Sequence, residues 1–247
     1  MQGLAGVMIL LLAYAGWIKI RSLDVDDDGA PLAIRWEGFY HDMNLRDIGA
    51  SLNACLEEQL FREDVLLRSA GWFSGWSCDK VDNPDVIYSL NYSPKKEERY
   101  FCQSDEGKVI GRHYPAGVQL KDLEFEETWS DEAMRKTSCR YLRDIFLSIL
   151  DGQKILLHCD AGRDRTGTMT ALLVALAAES ANRLNETMLN AIECDYRKTD
   201  SLNPDKFGRM KQFLLQITSE QPVSDFIQQN CSLPDGLMPL VADKMLK

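Results

Sequence analysis

The feature that most constrains the fold is a buried strand joined by a tight polar loop to a buried helix. Residues 154–158 read KILLH, a short apolar run typical of a strand that is covered on both faces. Residues 167–181 read GTMTALLVALAAESA and are apolar nearly all round, which predicts a helix inside the core. We therefore expect a single α/β domain with a central, mostly parallel sheet flanked by helices.

The loop between this strand and helix combines a nucleophile with groups that bind an oxyanion. Backbone N–H groups converge where a helix follows a strand, and the helix dipole adds positive potential there. The same field lowers the pKa of a cysteine at the strand end, so Cys159 is expected to be a thiolate. Gly162 allows a close turn, and Arg165 can form a bidentate fork with a tetrahedral oxyanion. The predicted phosphate-binding residues are Asp160, Ala161, Gly162, Arg163, Asp164 and Arg165.

The segment from His158 to Thr166, HCxxGxxRT, resembles the signature loop of the cysteine-dependent protein tyrosine phosphatases. Its finer form, HCDAGRDRTG, is similar to the atypical bacterial branch of tyrosine and dual-specificity phosphatases, whose loop reads HCxAGKDRTG. NLRDIGA at 44–50 and LLRSAGW at 66–72 resemble two further motifs of that branch. Near Tyr88 the chain lacks the Asp-Leu-Arg that the branch carries. The resemblance implies a catalytic domain over residues 36–219 that hydrolyses phosphomonoesters through a phosphocysteine intermediate, without a metal or other cofactor.

The expected roles of four loop residues follow from this chemistry. Cys159 attacks phosphorus, and Arg165 stabilises the equatorial oxygens together with the backbone amides. His158 organises the loop by hydrogen bonds and helps to set the pKa of the thiol. Thr166 is expected to cap the helix, and the resemblance implies that it also bonds the thiolate or assists breakdown of the phosphoenzyme.

The general acid, which protonates the leaving oxygen, has three candidates. Asp164 leads, because relatives with Asp at that place, including the myotubularin-like lipid phosphatases, are taken to use it. Asp131 in TWSD is the alternative, although Thr128 and Asp131 can also form a capping box before a helix over 134–150. Asp85 in NPD is the third candidate.

The substrate class stays open at the level of the sequence. Asp160 would repel a polyanion, whereas Arg163 would attract a second anionic group, so a phosphorylated protein and a phospholipid or inositol phosphate are both candidates. A catalytically inactive phosphate-binding module would have lost the cysteine, the arginine or the acid, and none is lost. A sulfur-transfer or arsenate-reducing enzyme does not fit the His-Cys start and Arg-Thr-Gly end. The formal net charge of −10 argues against a nucleic-acid partner.

Four further expectations concern the ends of the chain and its cysteines. Residues 1–21 are predicted to be a membrane anchor that spans through residues 3–20 and leaves the catalytic domain in the cytoplasm. The alternative is a signal peptide, cleaved after Ala15, and an exported domain. Residues 22–35 read as an acidic linker, and residues 220–247, with three prolines, as an irregular tail. The seven widely spaced cysteines suggest free thiols in a reducing compartment.

Overall fold

The computed structural model describes residues 44–73, 75–90, 101–113, 125–199, 204–234 and 236–247. Residues Met43–Lys247 form one compact unit. The predicted anchor at 1–21 and the acidic linker at 22–35 lie outside the described residues. Within the ranges given above, none of the helices has both the length and the apolar character needed to cross a membrane.

The described strands form one mixed sheet whose centre is parallel. They are β1 (Arg46–Asp47), β2 (Leu66–Ala70), β3 (Trp76–Ser77), β4 (Val86–Ser89), β5 (Phe101–Gln103), β6 (Val109–His113) and β7 (Ile155–Cys159). Their spatial order is β1-β2-β7-β4-β6-β5-β3, with β2, β7, β4 and β6 mutually parallel. The antiparallel pairs are β1 with β2 and β5 with β6. The predicted α/β class is confirmed, and the KILLH segment supplies the central strand β7.

The helices pack around β7 and around the most buried helix of the domain. They are α1 (Ile48–Leu56), α2 (Phe125–Ser130), α3 (Glu132–Leu150), α4 (Asp164–Ser180), α5 (Glu186–Arg197), α6 (Arg209–Thr218), α7 (Val223–Cys231) and α8 (Leu237–Met245). Every residue of α4 from Asp164 to Ala178 is buried. Such a helix needs cover on all sides, and α5, α6, α7 and α8 all contact it. Because α4 lies in the core beside β7, only a short loop separates the end of β7 at Cys159 from the start of α4 at Asp164.

The start of α3 differs from the predicted capping box. Asp131 is itself the N-cap, and its carboxylate accepts a hydrogen bond from Met134 N at 2.8 Å. Thr128 instead lies in the preceding helix α2. A capping box with Thr128 as the N-cap would start α3 at the next residue, Trp129. Because α2 ends only at Ser130, α3 starts three residues later, at Glu132.

The prediction of an irregular tail at 220–247 is wrong. This segment forms α7 and α8, and both helices contact α3 and α4. Pro222 is the N-cap of α7, and Pro239 lies in the first turn of α8. In the first turn a missing backbone N–H costs no intrahelical hydrogen bond, so these prolines are compatible with helix starts.

The prediction of free thiols is wrong for six of the seven cysteines. The structure contains the disulfides Cys55–Cys194, Cys78–Cys102 and Cys139–Cys231, whose partners are separated by 139, 24 and 92 residues in the chain. Cys159 is the free cysteine, and it is buried. The sequence showed no paired spacing because the partners meet only after the domain has folded.

Candidate active site

The β7–α4 loop, residues 160–163, lies at the carboxyl end of the parallel strands, where open α/β sheets bind their ligands. Cys159 ends the central strand β7, and Asp164 begins α4. Gly162 has φ +63°, and a Cβ atom added there would lie 2.4 Å from Ser69 O of β2. Only glycine allows the loop to approach β2 this closely.

The carbonyl oxygens of all four loop residues accept hydrogen bonds from donors outside the loop. The pairs are Gly71 N to Asp160 O at 3.1 Å, Asn44 Nδ2 to Ala161 O at 2.6 Å, Arg68 Nη2 to Gly162 O at 2.8 Å and Arg68 Nη2 to Arg163 O at 3.3 Å. In a trans peptide unit the N–H points opposite to the C=O. The N–H groups of residues 161–164 therefore point away from these donors.

The side-chain donors come from the two N-terminal motifs of the sequence. Asn44 begins the NLRDIGA segment, and Arg68 is the arginine of LLRSAGW. The structure thus brings three segments together that are far apart in the chain, with both motifs acting on the backbone of the loop. No sequence pattern by itself assigned this backbone-holding role to either residue.

Arg68 is held in the interior by a carboxylate that the sequence analysis did not single out. Its Nη1 lies 2.5 Å from Asp195 Oδ2, while Arg46 Nε and Ser51 Oγ donate to Asp195 Oδ1 at 2.8 and 2.7 Å. Burial, together with the nearby Arg46 charge, lowers the pKa of Arg68 to about 10. Asp195 follows Ile192 by three residues, on the buried stripe of α5. An acid on an apolar stripe was the available signal.

Arg165 is the second buried guanidinium of the site. Its Nη2 lies 3.1 Å from Asp160 Oδ2, and its Nη1 donates to Leu90 O at 3.4 Å. Asp160 is itself 65% exposed in its side chain. The structure therefore brings Cys159, Asp160 and Arg165 together, and a bound oxyanion would share Arg165 with the Asp160 carboxylate.

His158 and Thr166 flank the loop on its protein side. The Nδ1 atom of His158 lies 3.2 Å from Cys159 O, and its ring meets Phe73 edge-on at 5.2 Å. Burial lowers the pKa of His158 to about 4, so the imidazole is neutral at physiological pH. The predicted capping role of Thr166 is wrong, because the N-cap of α4 is Arg163 and no side chain caps this helix. Among the described residues, the buried Thr166 Oγ1 has no hydrogen-bond partner.

Asp164 is surrounded by hydrogen-bond donors. Tyr196 OH donates to Oδ1 at 2.7 Å, and Arg163 Nε and Lys206 Nζ donate to Oδ2 at 3.0 and 3.1 Å. Arg209 Nη1 lies 3.5 Å from Oδ1. Burial alone would raise the pKa of Asp164, but the hydrogen bonds lower it to about 2. This carboxylate is ionised in the substrate-free protein.

The other two acid candidates are Asp131 and Asp85, and they lie on opposite sides of the sheet. Asp131 is on the side of the carboxyl ends of the parallel strands, and Asp85 is on the side of their amino ends. α3 ends at Leu150, shortly before β7 begins at Ile155, and its Tyr141 OH donates to Ser89 O at the carboxyl end of β4. The helix therefore runs toward the amino end of β7 and begins on the side of the sheet where the β7–α4 loop lies. Asp131, the N-cap of α3, is on that side and exposed. Asp85 accepts from Lys154 N, before β4 and β7 begin. At strand rise this is roughly 16 Å from Cys159, too far for proton transfer.

Tyr88 lies in β4, near the position where the resembled phosphatase branch carries Asp-Leu-Arg. Its hydroxyl donates to Asp144 O at 2.8 Å and lies 3.0 Å from Ser148 Oγ, both on α3. Burial raises the pKa of Tyr88 to about 12. The side chain is thus part of the contact between β4 and α3 and does not replace an acidic residue in the site.

The comparison with known families matches this part of the molecule. The model of the tyrosine phosphatase family matches residues 117–241, half of the chain. The matched segment contains Cys159, Arg165, Asp131 and Asp195, and it extends beyond the predicted domain end at 219 into α8. No curated protein matches the sequence.

Proposed function

Because the chain belongs to the tyrosine phosphatase family, we propose that it hydrolyses phosphotyrosine through a phosphocysteine intermediate on Cys159. The thiolate attacks phosphorus in line, so that an S–P bond forms as the P–O bond to tyrosine breaks. The leaving oxygen takes a proton from the general acid. Water then attacks phosphorus and gives a proton to the carboxylate of the acid, so that a P–O bond forms as the S–P bond breaks and inorganic phosphate and the thiolate are released.

The observation that carries this proposal is the outward orientation of four consecutive carbonyl groups in the β7–α4 loop. It turns the N–H groups of residues 161–164 to the other side of the loop, where they can stabilise the equatorial oxygens of the transition state. The buried Arg165 adds a guanidinium, and the free Cys159 precedes the loop. A loop arranged before the substrate arrives pays little reorganisation cost during the reaction.

The contacts favour Asp131 over Asp164 as the general acid. A group with a pKa of about 2 carries almost no proton at neutral pH, and Asp164 is held in that state by Tyr196, Arg163 and Lys206. Asp131 is exposed on the side of the sheet where the loop lies. Asp164 then orients the start of α4, next to Arg165.

We expect Asp131→Asn to lower kcat by about a hundredfold at pH 6 and to remove the alkaline fall of the pH–rate profile. Asp164→Asn is expected to raise KM more than it lowers kcat, because it disturbs the position of Arg165. The measurement is steady-state hydrolysis from pH 4 to 8 with a poor and a good leaving group. A loss in Asp131→Asn that is independent of the leaving group would contradict the assignment.

A second candidate, phosphoinositide hydrolysis, is favoured by a cluster of cations beside the loop. Arg163, Lys206 and Arg209 all approach Asp164, and each keeps between 23% and 27% of its side chain exposed. The four groups carry a net formal charge of +2, within a chain of net charge −10. A substrate with a second phosphate would find its counter-charge there.

The disulfides favour the exported alternative over a cytoplasmic domain. Structural disulfides form and persist in oxidising compartments and are rare in the cytosol. Three of them link distant parts of the described domain. The substrate of the proposed reaction would then be a phosphoprotein outside the reducing cytoplasm.

The test is phosphate release by the full chain, purified without reductant, from phosphotyrosine peptides and short-chain phosphoinositides. Cys159→Ser is expected to abolish turnover, and Arg165→Lys to lower kcat/KM by about a hundredfold or more, because an ammonium cannot form the bidentate fork. Hydrolysis of the lipids alone would support the second candidate. Binding of tungstate with hydrolysis of neither substrate would leave a phosphate-binding module.

A further inference from the structure

The buried carboxylate of Asp195 lies at the end of a chain of contacts that reaches the β7–α4 loop. Its Oδ2 is bonded to Nη1 of Arg68, and Nη2 of the same guanidinium donates to Gly162 O and Arg163 O. Both Arg68 and Asp195 are almost completely buried. One planar group thus connects α5 with two carbonyl oxygens of the loop.

Two opposing cations make this carboxylate necessary. Arg46 of β1 and Arg68 of β2 are direct partners in the antiparallel register, so their like charges meet at one place. Asp195 receives a hydrogen bond from each, at 2.8 Å from Arg46 Nε and 2.5 Å from Arg68 Nη1. Burial alone would raise the pKa of Asp195, but the two guanidinium groups hold it well below its ordinary value. Without the negative charge of Asp195, the buried guanidinium of Arg68 would lack its ion-pair partner, and burial would disfavour this position.

We propose that Asp195 is a positioning residue for the reaction proposed above, because it holds Arg68 where this guanidinium draws the carbonyls of Gly162 and Arg163 outward. The amides that follow these carbonyls then face the oxyanion. Asp195 touches neither the substrate nor Cys159 in this scheme. Its effect on the reaction passes through Arg68 and, on a second path, through Arg46, which donates to Asn44 O while Asn44 Nδ2 donates to Ala161 O of the loop.

The principal test compares Asp195→Asn with a matched variant of the same helix. Glu193 is also a buried carboxylate of α5, but it accepts from Gly208 N, Met210 N and Lys211 N at the start of α6. We expect both Asp195→Asn and Glu193→Gln to lower the unfolding temperature. Only Asp195→Asn should weaken tungstate binding, measured by calorimetry on the full chain, and lower kcat/KM, each by about tenfold to a hundredfold. Equal tungstate affinity in both variants would overturn the proposal.

A second variant covers the case in which Asp195→Asn does not fold. Arg68→Lys keeps the charge opposite Asp195 but loses the planar fork that reaches both Asp195 and the two carbonyls. It is expected to fold, to keep its pairing with Asp195 and to bind tungstate about tenfold more weakly. Wild-type affinity in Arg68→Lys would overturn the proposal.

The two proposals fail in different ways. If the wild-type chain binds tungstate but hydrolyses no phosphomonoester, the proposed function is wrong. The tungstate affinity of Asp195→Asn then still tests whether Asp195 holds the loop in its anion-binding shape. If the chain is an active phosphatase and its tungstate affinity does not respond to Asp195→Asn, only the role of Asp195 is wrong.

Discussion

At the scale of single residues, Gly162 gives the sharpest test of the loop geometry. Its φ is +63°, and an added Cβ would lie 2.4 Å from Ser69 O. Gly162→Ala is therefore expected to move the loop away from β2 and lower kcat/KM by at least about a hundredfold. Gly107 is the matched control, with φ +77° and no atom within 4 Å of an added Cβ. Gly107→Ala should cost about 1 kcal/mol of unfolding free energy from backbone strain and leave kcat/KM unchanged.

Urea unfolding and steady-state kinetics of both glycine variants measure these effects. If Gly162→Ala matched Gly107→Ala in activity, the close approach of the loop to β2 would have no bearing on the reaction.

His158 makes stability depend on pH in a defined window. Burial lowers its pKa to about 4, so between pH 4 and about 6.5 the unfolded chain binds a proton that the folded protein does not. Stability therefore falls as the pH is lowered through this window, by about 2 kcal/mol between pH 7.5 and pH 5. The lowered pKa of Asp164 acts in a different range, because its contribution is lost only as the pH falls below about 4.

The measurement is the unfolding free energy in urea at pH 7.5 and pH 5. His158→Gln, which cannot titrate, should show a smaller difference between the two pH values than the wild type. An equal pH dependence in both proteins would assign the effect to other groups.

At the scale of elements, α5 supports the site through two neighbouring residues. Asp195 holds Arg68, and Tyr196 donates to Asp164 and packs against Gly167 of α4. The preceding residue, Cys194, is bonded to Cys55 of α1. This disulfide fixes α5 against α1 next to the residues on which the loop depends.

Removal of the Cys55–Cys194 disulfide is therefore expected to reduce activity as well as stability. In the chain-entropy account, a crosslink across 139 residues contributes about 5 kcal/mol and one across 24 residues about 3.5 kcal/mol. The double variant Cys55→Ala/Cys194→Ala should lower kcat/KM by about tenfold at a temperature where it stays folded. Cys78→Ala/Cys102→Ala, at the far side of the sheet, should lose stability but keep kcat/KM within about twofold.

Thermal unfolding and kinetics of the two double variants provide the comparison. Equal losses of kcat/KM in both would show that the disulfides act on stability alone, without a specific effect of α5 on the loop.

The parts of the structure that were predictable are those with a local physical cause. β7 and α4 were predictable because an apolar run and an all-round apolar helix each show burial within a few residues. That Cys159 and Arg165 lie at one loop was predictable because the loop is contiguous, while their roles in the reaction stay a prediction. Asp195 and the disulfide partners become neighbours of the site only through tertiary packing.

One of the wrong predictions has a local cause, whereas the environment of Asp164 has a tertiary one. The prolines at 222 and 239 were interpreted as signs of irregular structure, although the first turn of a helix accepts them. The prediction of Asp164 as the acid rests on its place in the loop, and this role stays a prediction. The hydrogen bonds of its carboxylate depend on Tyr196 and Lys206, which follow it by 32 and 42 residues. Its low pKa is therefore a tertiary property that no motif contains.

At the scale of the whole molecule, the disulfides and the free thiol predict a specific redox state. Six cysteines are paired and Cys159 is buried, so the folded protein should contain a single thiol. Alkylation in denaturant without reductant is expected to label Cys159 alone, and prior reduction should expose all seven cysteines to the reagent. Peptide mass spectrometry identifies the labelled positions and the crosslinked pairs.

The same thiol analysis can compare protein produced in an oxidising compartment with protein produced in a reducing cytoplasm. The comparison tests which of the two environments the folded domain requires. Chain produced in an oxidising compartment should show one thiol and the higher unfolding temperature, because the crosslinks restrict its unfolded state. Chain produced in a reducing cytoplasm should show several thiols, a lower unfolding temperature and, through the loosened α5, a lower kcat/KM. Seven thiols with full stability and activity would contradict the exported alternative. In that outcome the free-thiol enzyme predicted from the spacing of the cysteines would be the functional form.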